Sequence, residues 1–102
     1  GYQIIEKNVH SKYGELDIVA LESTREGDIL VFVEVKTRTS TSFGYPEEAV
    51  DFHKQEHLLQ SARAYLQSHQ MPADAWQIDV ISIQRMGNGE EPELVHFKDI
   101  CS

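Results

Sequence analysis

The chain has 102 residues, 40% hydrophobic and 25% charged, which is enough for one packed domain and too apolar for a disordered tail. Nine Lys and Arg against 17 Asp and Glu give a formal net charge of −8. This argues against a general nucleic-acid coat, though not against a local site where a metal ion supplies the positive charge. No apolar run approaches the roughly 20 residues of a membrane span.

The single cysteine, Cys101, permits neither an internal disulfide nor a cysteine zinc cluster, so a cytoplasmic chain with no membrane partner is expected. The chain opens on Gly1 rather than Met and is read as trimmed at that end. Residues 1–102 are read as a single domain, without repeats or linkers.

Tyr2 to Lys7 is a short apolar segment that reads as a strand. Asn8 to Gly14 is polar, ends in glycine and reads as a turn. Glu15 to Leu21 is a second strand, and the charged stretch Glu22 to Gly27 closes it. Asp28 to Lys36 is the strongest strand: β-branched, aromatic and apolar on both faces over most of its length, so it is expected at the centre of a covered sheet.

Thr37 to Phe43 is rich in Thr and Ser and reads as a loop. Gly44-Tyr45-Pro46 then opens a helix, with Pro46 suited to the first turn and Glu47 and Glu48 to its N-terminal dipole. Apolar residues keep helical spacing to about His69, and Met71-Pro72-Ala73-Asp74 breaks the pattern. Trp76 to Ile83 is a strand, Gly87-Asn88-Gly89 a turn, and Glu93 to Phe97 a last short strand. The order β-β-β-α-β-β predicts an α/β domain, a mixed sheet with at least one covering helix. Trp76, Tyr65 and Phe52 are expected to fill its core.

A short turn between the second and third strands predicts an antiparallel pair. A turn centred near Arg25 sets Leu21 against Leu30, Val19 against Phe32, Asp17 against Glu34 and Glu15 against Lys36. One face is then wholly apolar: Leu16, Ile18, Ala20, Val31, Val33 and Val35. The other is apolar near the turn and charged at its far end, with Glu15, Asp17, Glu34 and Lys36.

Two facing carboxylates, with Cβ atoms roughly 5 Å apart, repel each other. A shared proton, a cation or Lys36 must offset that. A hard divalent ion is one answer, because Mg²⁺ takes one or two carboxylates and completes its shell with water and phosphate. Such an ion polarises a phosphodiester, and Lys36 could orient a water or stabilise charge on phosphate oxygens. The plainer answer is a Glu15–Lys36 ion pair, with Asp17 and Glu34 at a wet strand end.

The segments 14–20, 30–38 and 43–50 with Lys54, together with Tyr2, Asn8 and Ile78-Asp79-Val80, resemble the YraN-like family. That resemblance implies a restriction-endonuclease-like fold of the PD-(D/E)XK superfamily, distantly related to archaeal Holliday junction resolvases. It implies a sheet flanked by helices, with an N-terminal helix that this chain lacks and whose absence would open one face. It further implies Asp17 and Glu34 as acidic residues and Lys36 as the catalytic lysine. Mg²⁺ or Mn²⁺ would then be held by Asp17, Glu34 and the backbone carbonyl of Val35.

The implied activity is a metal-dependent endonuclease acting on DNA, branched DNA included, with a homodimer expected by analogy. The competing reading is a nuclease-fold module that binds nucleic acid or a protein without cutting. It draws on the net charge and on Gln77, Val9 and His10, which stand where the family tends to be basic.

Glu15 and Gln55 are accessory candidates. Arg38, Thr37 and Lys54 are candidate nucleic-acid contacts, weighed against a flexible connector for the first two and a solvated helix face for Lys54 and Gln55. His53 and His57 share a helix face but lack a third ligand at zinc spacing, so they read as a surface pair. Asp79, inside an apolar strand, needs a partner if buried and reads as structural.

Overall fold

A computed structural model describes residues 2–40, 52–69, 75–86 and 91–100, with the side chains of 38–40, 52–54 and 86 left aside. The described elements are β1 (Tyr2–Ser11), β2 (Gly14–Thr24), β3 (Gly27–Ser40), α1 (Phe52–His69), β4 (Ala75–Met86) and β5 (Glu93–Phe97). They form one five-stranded sheet in the order β1-β2-β3-β4-β5. β3 and β4 run parallel, and every other neighbouring pair is antiparallel. The parallel pair requires a crossover, and α1 lies in that connection. The expected helix start at Gly44-Tyr45-Pro46, the break at Met71 to Asp74 and the turn at Gly87 to Gly89 lie outside the described residues.

Two elements extend further than their composition predicts. β1 continues through Asn8 to Ser11, where a turn was expected, because the facing end of β2 pairs with it from Val9↔Leu16 to Ser11↔Gly14. β3 continues through Thr37 to Ser40, where a loop was expected. β4 supplies a full parallel ladder there, Thr37↔Ile83 to Ser40↔Met86, and β-branched threonine suits a strand once its backbone has partners.

The two hairpins close with the same chemistry. Ser11 Oγ donates to the carbonyl of Gly14 at 3.2 Å and accepts from Tyr13 N–H at 3.2 Å. Thr24 Oγ1 donates to the carbonyl of Gly27 at 2.6 Å and accepts from Glu26 N–H at 3.2 Å. Each turn ends on a glycine with positive φ, 135° at Gly14 and 131° at Gly27, which a side chain would disfavour. The second turn sets the expected register, with Leu21↔Leu30 and Val19↔Phe32.

The core lies between the sheet and α1. Leu58, Ala62 and Tyr65 of the helix pack on Leu16, Val19, Leu30, Phe32 and Ile78. Their spacing of three and four residues gives α1 one apolar stripe and fixes its rotation. Phe32 meets Tyr65 and Trp76 edge to face, with centroids 5.7 and 6.1 Å away. Trp76 nonetheless stays 36% exposed, because it stands at the start of β4 rather than in the core where it was expected.

Glu6 of β1 ties down the far end of the helix. It accepts from the Tyr65 hydroxyl at 3.2 Å and sits 3.8 Å from His69 Nε2, while the His69 ring stacks on Tyr65. The sheet's other face carries an apolar groove of about 140 Å³ between Tyr2, Ile4, Ala20, Val33 and Ile81.

Leu16 corrects the expected face assignment. Strict alternation puts it with Ile18 and Ala20, yet it is buried on the helix side with Leu58 and Tyr65. The alternation resets at Asp17. Lys7↔Ile18 and Val9↔Leu16 bracket Asn8 and Asp17, which the ladder leaves unpaired with each other, and Asn8 is left-handed at φ 54°. Asparagine tolerates that conformation better than most residues.

Candidate active site

The charged end of the β2–β3 hairpin is organised around one backbone amide. The β2–β3 ladder runs to Ile18↔Val33, so the expected Asp17–Glu34 pair is not part of it. Instead Asp17 Oδ2 accepts the Val35 N–H at 2.7 Å. The side-chain carboxylate takes over where the ladder stops, because the β2 backbone has turned at Asp17 and a half-buried N–H needs an acceptor. Asp17 is thereby held against the Glu34–Val35 peptide.

Glu34 and Lys36, two residues apart on β3, share the helix side of the sheet with Phe32. Lys36 Nζ stands 2.9 Å from Glu34 Oε1, with the two side chains 23% and 16% exposed. That burial strengthens the attraction between the two charges and raises the cost of desolvating them. Both residues line a cleft of about 170 Å³. Its described walls come from three elements: Tyr13, Gly14 and Glu15 at the β1–β2 turn, Glu34 and Lys36 on β3, and His57, Leu58 and Ser61 on α1. Ser82, buried on β4, is the register partner of Lys36 and adds a hydroxyl-bearing residue at this end of the sheet.

The expected residues therefore fall into groups. Glu15, Glu34 and Lys36 meet in the cleft, and Asp17 is fixed beside it through Val35. Gln55 is half-buried on α1 but is not among the described cleft residues. Thr37 is exposed and alternates to the face opposite Lys36. Arg38 holds a place on β3 opposite Gln84 and Lys54 lies on α1, but both side chains fall outside the described residues.

His57, read from sequence as half of a surface pair with His53, is exposed as expected and also lines the cleft, while the His53 side chain lies outside the described residues. The helix phase could have found it: Leu58, Ala62 and Tyr65 mark the inward stripe, and residues 57 and 61 lie on its shoulder.

Among the described residues no group of three His, Cys, Asp or Glu side chains forms a ready metal cage. The donors that the resemblance implies, the Asp17 and Glu34 carboxylates and the Val35 carbonyl, are all oxygen. That fits a hard ion such as Mg²⁺ or Mn²⁺, which keeps water and takes phosphate oxygens, and it does not fit zinc.

Asp79 is a second acid inside an apolar strand, with a different environment. It is 0% exposed and receives three donors: Gln77 Nε2 at 2.9 Å and the Asp99 N–H at 2.9 Å on Oδ1, and His96 Nε2 at 2.7 Å on Oδ2. Ile100 N–H adds a bond to the Ile78 carbonyl at 2.8 Å. Asp79 thus fastens the segment after β5 to β4, the structural role expected of it. Gln77, noted in the sequence as a lost basic position, is a working part of this network.

No described helix is long and apolar enough to cross a membrane. A family model described as an uncharacterised protein family, UPF0102, matches residues 1–83. A UPF0102 protein of Caldanaerobacter subterraneus subsp. tengcongensis is 46% identical over 83 residues, covering 81% of this chain and 65% of that protein. The chain therefore spans just under two thirds of that relative's length. A UPF0102 protein of Syntrophotalea carbinolica is 42% identical over 97 residues, covering 95% of this chain and 74% of that protein. One from Rhodococcus opacus is 40% identical over 99 residues, covering 97% and 80%. With matches of this extent on top of the YraN-like motifs, the chain belongs to the UPF0102 family.

Proposed function

We propose that the cleft is the active site of a metal-dependent endonuclease that hydrolyses phosphodiester bonds in DNA, branched DNA included. The observation that carries this reading is the bond from Val35 N–H to Asp17 Oδ2 at 2.7 Å. It holds one carboxylate at the Glu34–Val35 peptide, and Glu34 and Lys36 on either side of Val35 line one cleft. Asp17, Glu34 and the Val35 carbonyl would hold Mg²⁺ or Mn²⁺. A bound ion of that kind polarises a phosphodiester and lowers the pKa of a nearby water.

The chain's own residues do the rest. The Asp17 tether keeps one ligand from wandering, so little reorganisation is needed when substrate arrives. Lys36 directs its ammonium at the charge that grows on the phosphate oxygens, or orients the attacking water. Glu34 holds that ammonium in place at 2.9 Å. The formal charge of −8 makes the site local: DNA is gripped at the cleft rather than along a basic surface. A homodimer would give a junction-cutting enzyme two symmetric sites.

The test is a cleavage assay on four-way junction, flap, linear duplex and single-stranded DNA. Cleavage is expected with Mg²⁺ or Mn²⁺, lost with chelator and restored by adding the metal back. The net charge favours one other reading, a module of the same fold that binds without cutting. Binding to junction DNA with no turnover in either metal would select it.

A further inference from the structure

Among the described residues of the cleft, His57 is a side-chain nitrogen donor that the reading above leaves without a role. It lines the cleft from α1, together with Glu34 and Lys36 of β3. Its position is fixed by packing. Leu58, the next residue, is buried in the core with Ala62 and Tyr65, so the helix cannot roll. Ser61 lies one turn on from His57 and lines the same cleft at 3% exposure, whereas His57 is exposed. Ser61 therefore forms the back of that wall and His57 its solvent-side lip.

A phosphate entering this cleft meets a particular imbalance. Glu15 and Glu34 repel it, and the Lys36 ammonium is shared with Glu34 at 2.9 Å. His57 adds an N–H donor to the helix wall, beside the Ser61 hydroxyl and away from the acids. An imidazole carries at least one N–H in either neutral tautomer, so the donor is present without any change of protonation.

We propose that His57 donates a hydrogen bond to a non-bridging oxygen of the DNA phosphate that enters the cleft. It is a substrate contact supplied by the helix, across from the acidic wall of the strands. The proposal rests on the phosphodiesterase reading and adds a residue to it.

The test compares full-length protein with His57→Ala and His57→Gln. The readouts are the affinity for a fluorescein-labelled four-way DNA junction, the single-turnover cleavage rate and the unfolding midpoint. His57→Ala is expected to weaken binding about tenfold or more, the scale of one hydrogen bond to a charged group, at an unchanged unfolding midpoint. His57→Gln, which keeps an N–H, is expected to recover most of that affinity. Unchanged binding and cutting by His57→Ala, while the unaltered protein cuts, overturns the assignment of His57 alone. A loss that tracks a lowered unfolding midpoint in both variants also overturns it. If the unaltered protein neither binds nor cuts DNA in Mg²⁺ or Mn²⁺, the phosphodiesterase reading falls and His57 falls with it.

Discussion

Asp17 and Asp79 occupy the same kind of sequence, Leu16-Asp17-Ile18 and Ile78-Asp79-Val80, and end in opposite situations. Asp79 is sealed, with donors on both oxygens from Gln77, His96 and the Asp99 backbone. Asp17 is only half-buried, and among the described residues its recorded bond is the single one from Val35 N–H. A carboxylate saturated by three donors has little left to offer a ligand. A carboxylate held by one backbone amide is positioned and still has lone pairs to give. The pair teaches that an acid in a strand is read by its donor count, which depends on neighbours far away in the chain.

The largest effect that would sharpen this contrast is on the open side. Lys36→Ala removes the ammonium while leaving the Asp17 tether intact. It is expected to lower the DNA cleavage rate by about a hundredfold or more, the scale of losing one preorganised charge-stabilising donor, with the fold retained by circular dichroism. Cleavage within a few-fold of the unaltered protein would break the contrast.

On the sealed side, Asp79→Asn turns an acceptor-only group into one with its own N–H donors, facing donors already in place. A stability loss of about 2 kcal/mol is expected in urea unfolding, with the C-terminal segment released first in hydrogen exchange. A loss near zero would mean that the network contributes little.

Gly14→Ala probes the turn that frames the cleft. A Cβ there would meet Ser61 Oγ at 3.8 Å, an ordinary contact, so the cost comes from φ 135° rather than from crowding. A loss of about 1–2 kcal/mol in chemical denaturation is expected.

The smallest effect concerns the clamp at the far end of the helix. Burial first, then the hydrogen bond and negative charge of Glu6, hold the Tyr65 phenol above its ordinary pKa of 10.0. Below pH 10 that phenol is protonated in both the folded and unfolded chain. Above it the unfolded chain gives up the proton first, so stability falls as pH rises toward the folded value. Tyr65→Phe is expected to flatten that alkaline fall in a series of urea unfolding curves. An unchanged slope would contradict it.

Much of the fold was legible because one hydrophobic pattern admits few solutions. Only a turn near Arg25 keeps one face of β2 and β3 almost wholly apolar, and Val19↔Phe32 follows from it. The central place of β3 followed from Leu30, Val31 and Phe32, which are fully buried. Glu34 and Lys36 on one face followed from the two-residue period.

What stayed hidden depends on backbone irregularity and on partners. Leu16 crosses to the helix side because the strand resets between Asn8 and Asp17, and apolar spacing does not encode a left-handed asparagine. Thr37 to Ser40 are polar enough to read as a loop, and only the β4 ladder makes them a strand. Asp17 bonding to Val35 N–H replaced the simple facing pair with Glu34, since a ladder's end is set by geometry rather than residue type. His57 reads as a surface histidine among five, and only the helix phase marked by Leu58, Ala62 and Tyr65 places it at the cleft's edge.

The most direct measurement pairs chemistry with folding at Asp17. The unaltered full-length protein and Asp17→Asn would be compared for cleavage of junction, flap, duplex and single-stranded DNA in Mg²⁺ and Mn²⁺, alongside their urea unfolding midpoints. Asparagine keeps an oxygen for the Val35 N–H but loses the charge a divalent ion needs, so stability should change by less than about 1 kcal/mol while cleavage disappears. Cleavage by Asp17→Asn at the unaltered rate, with the fold intact, would contradict the account.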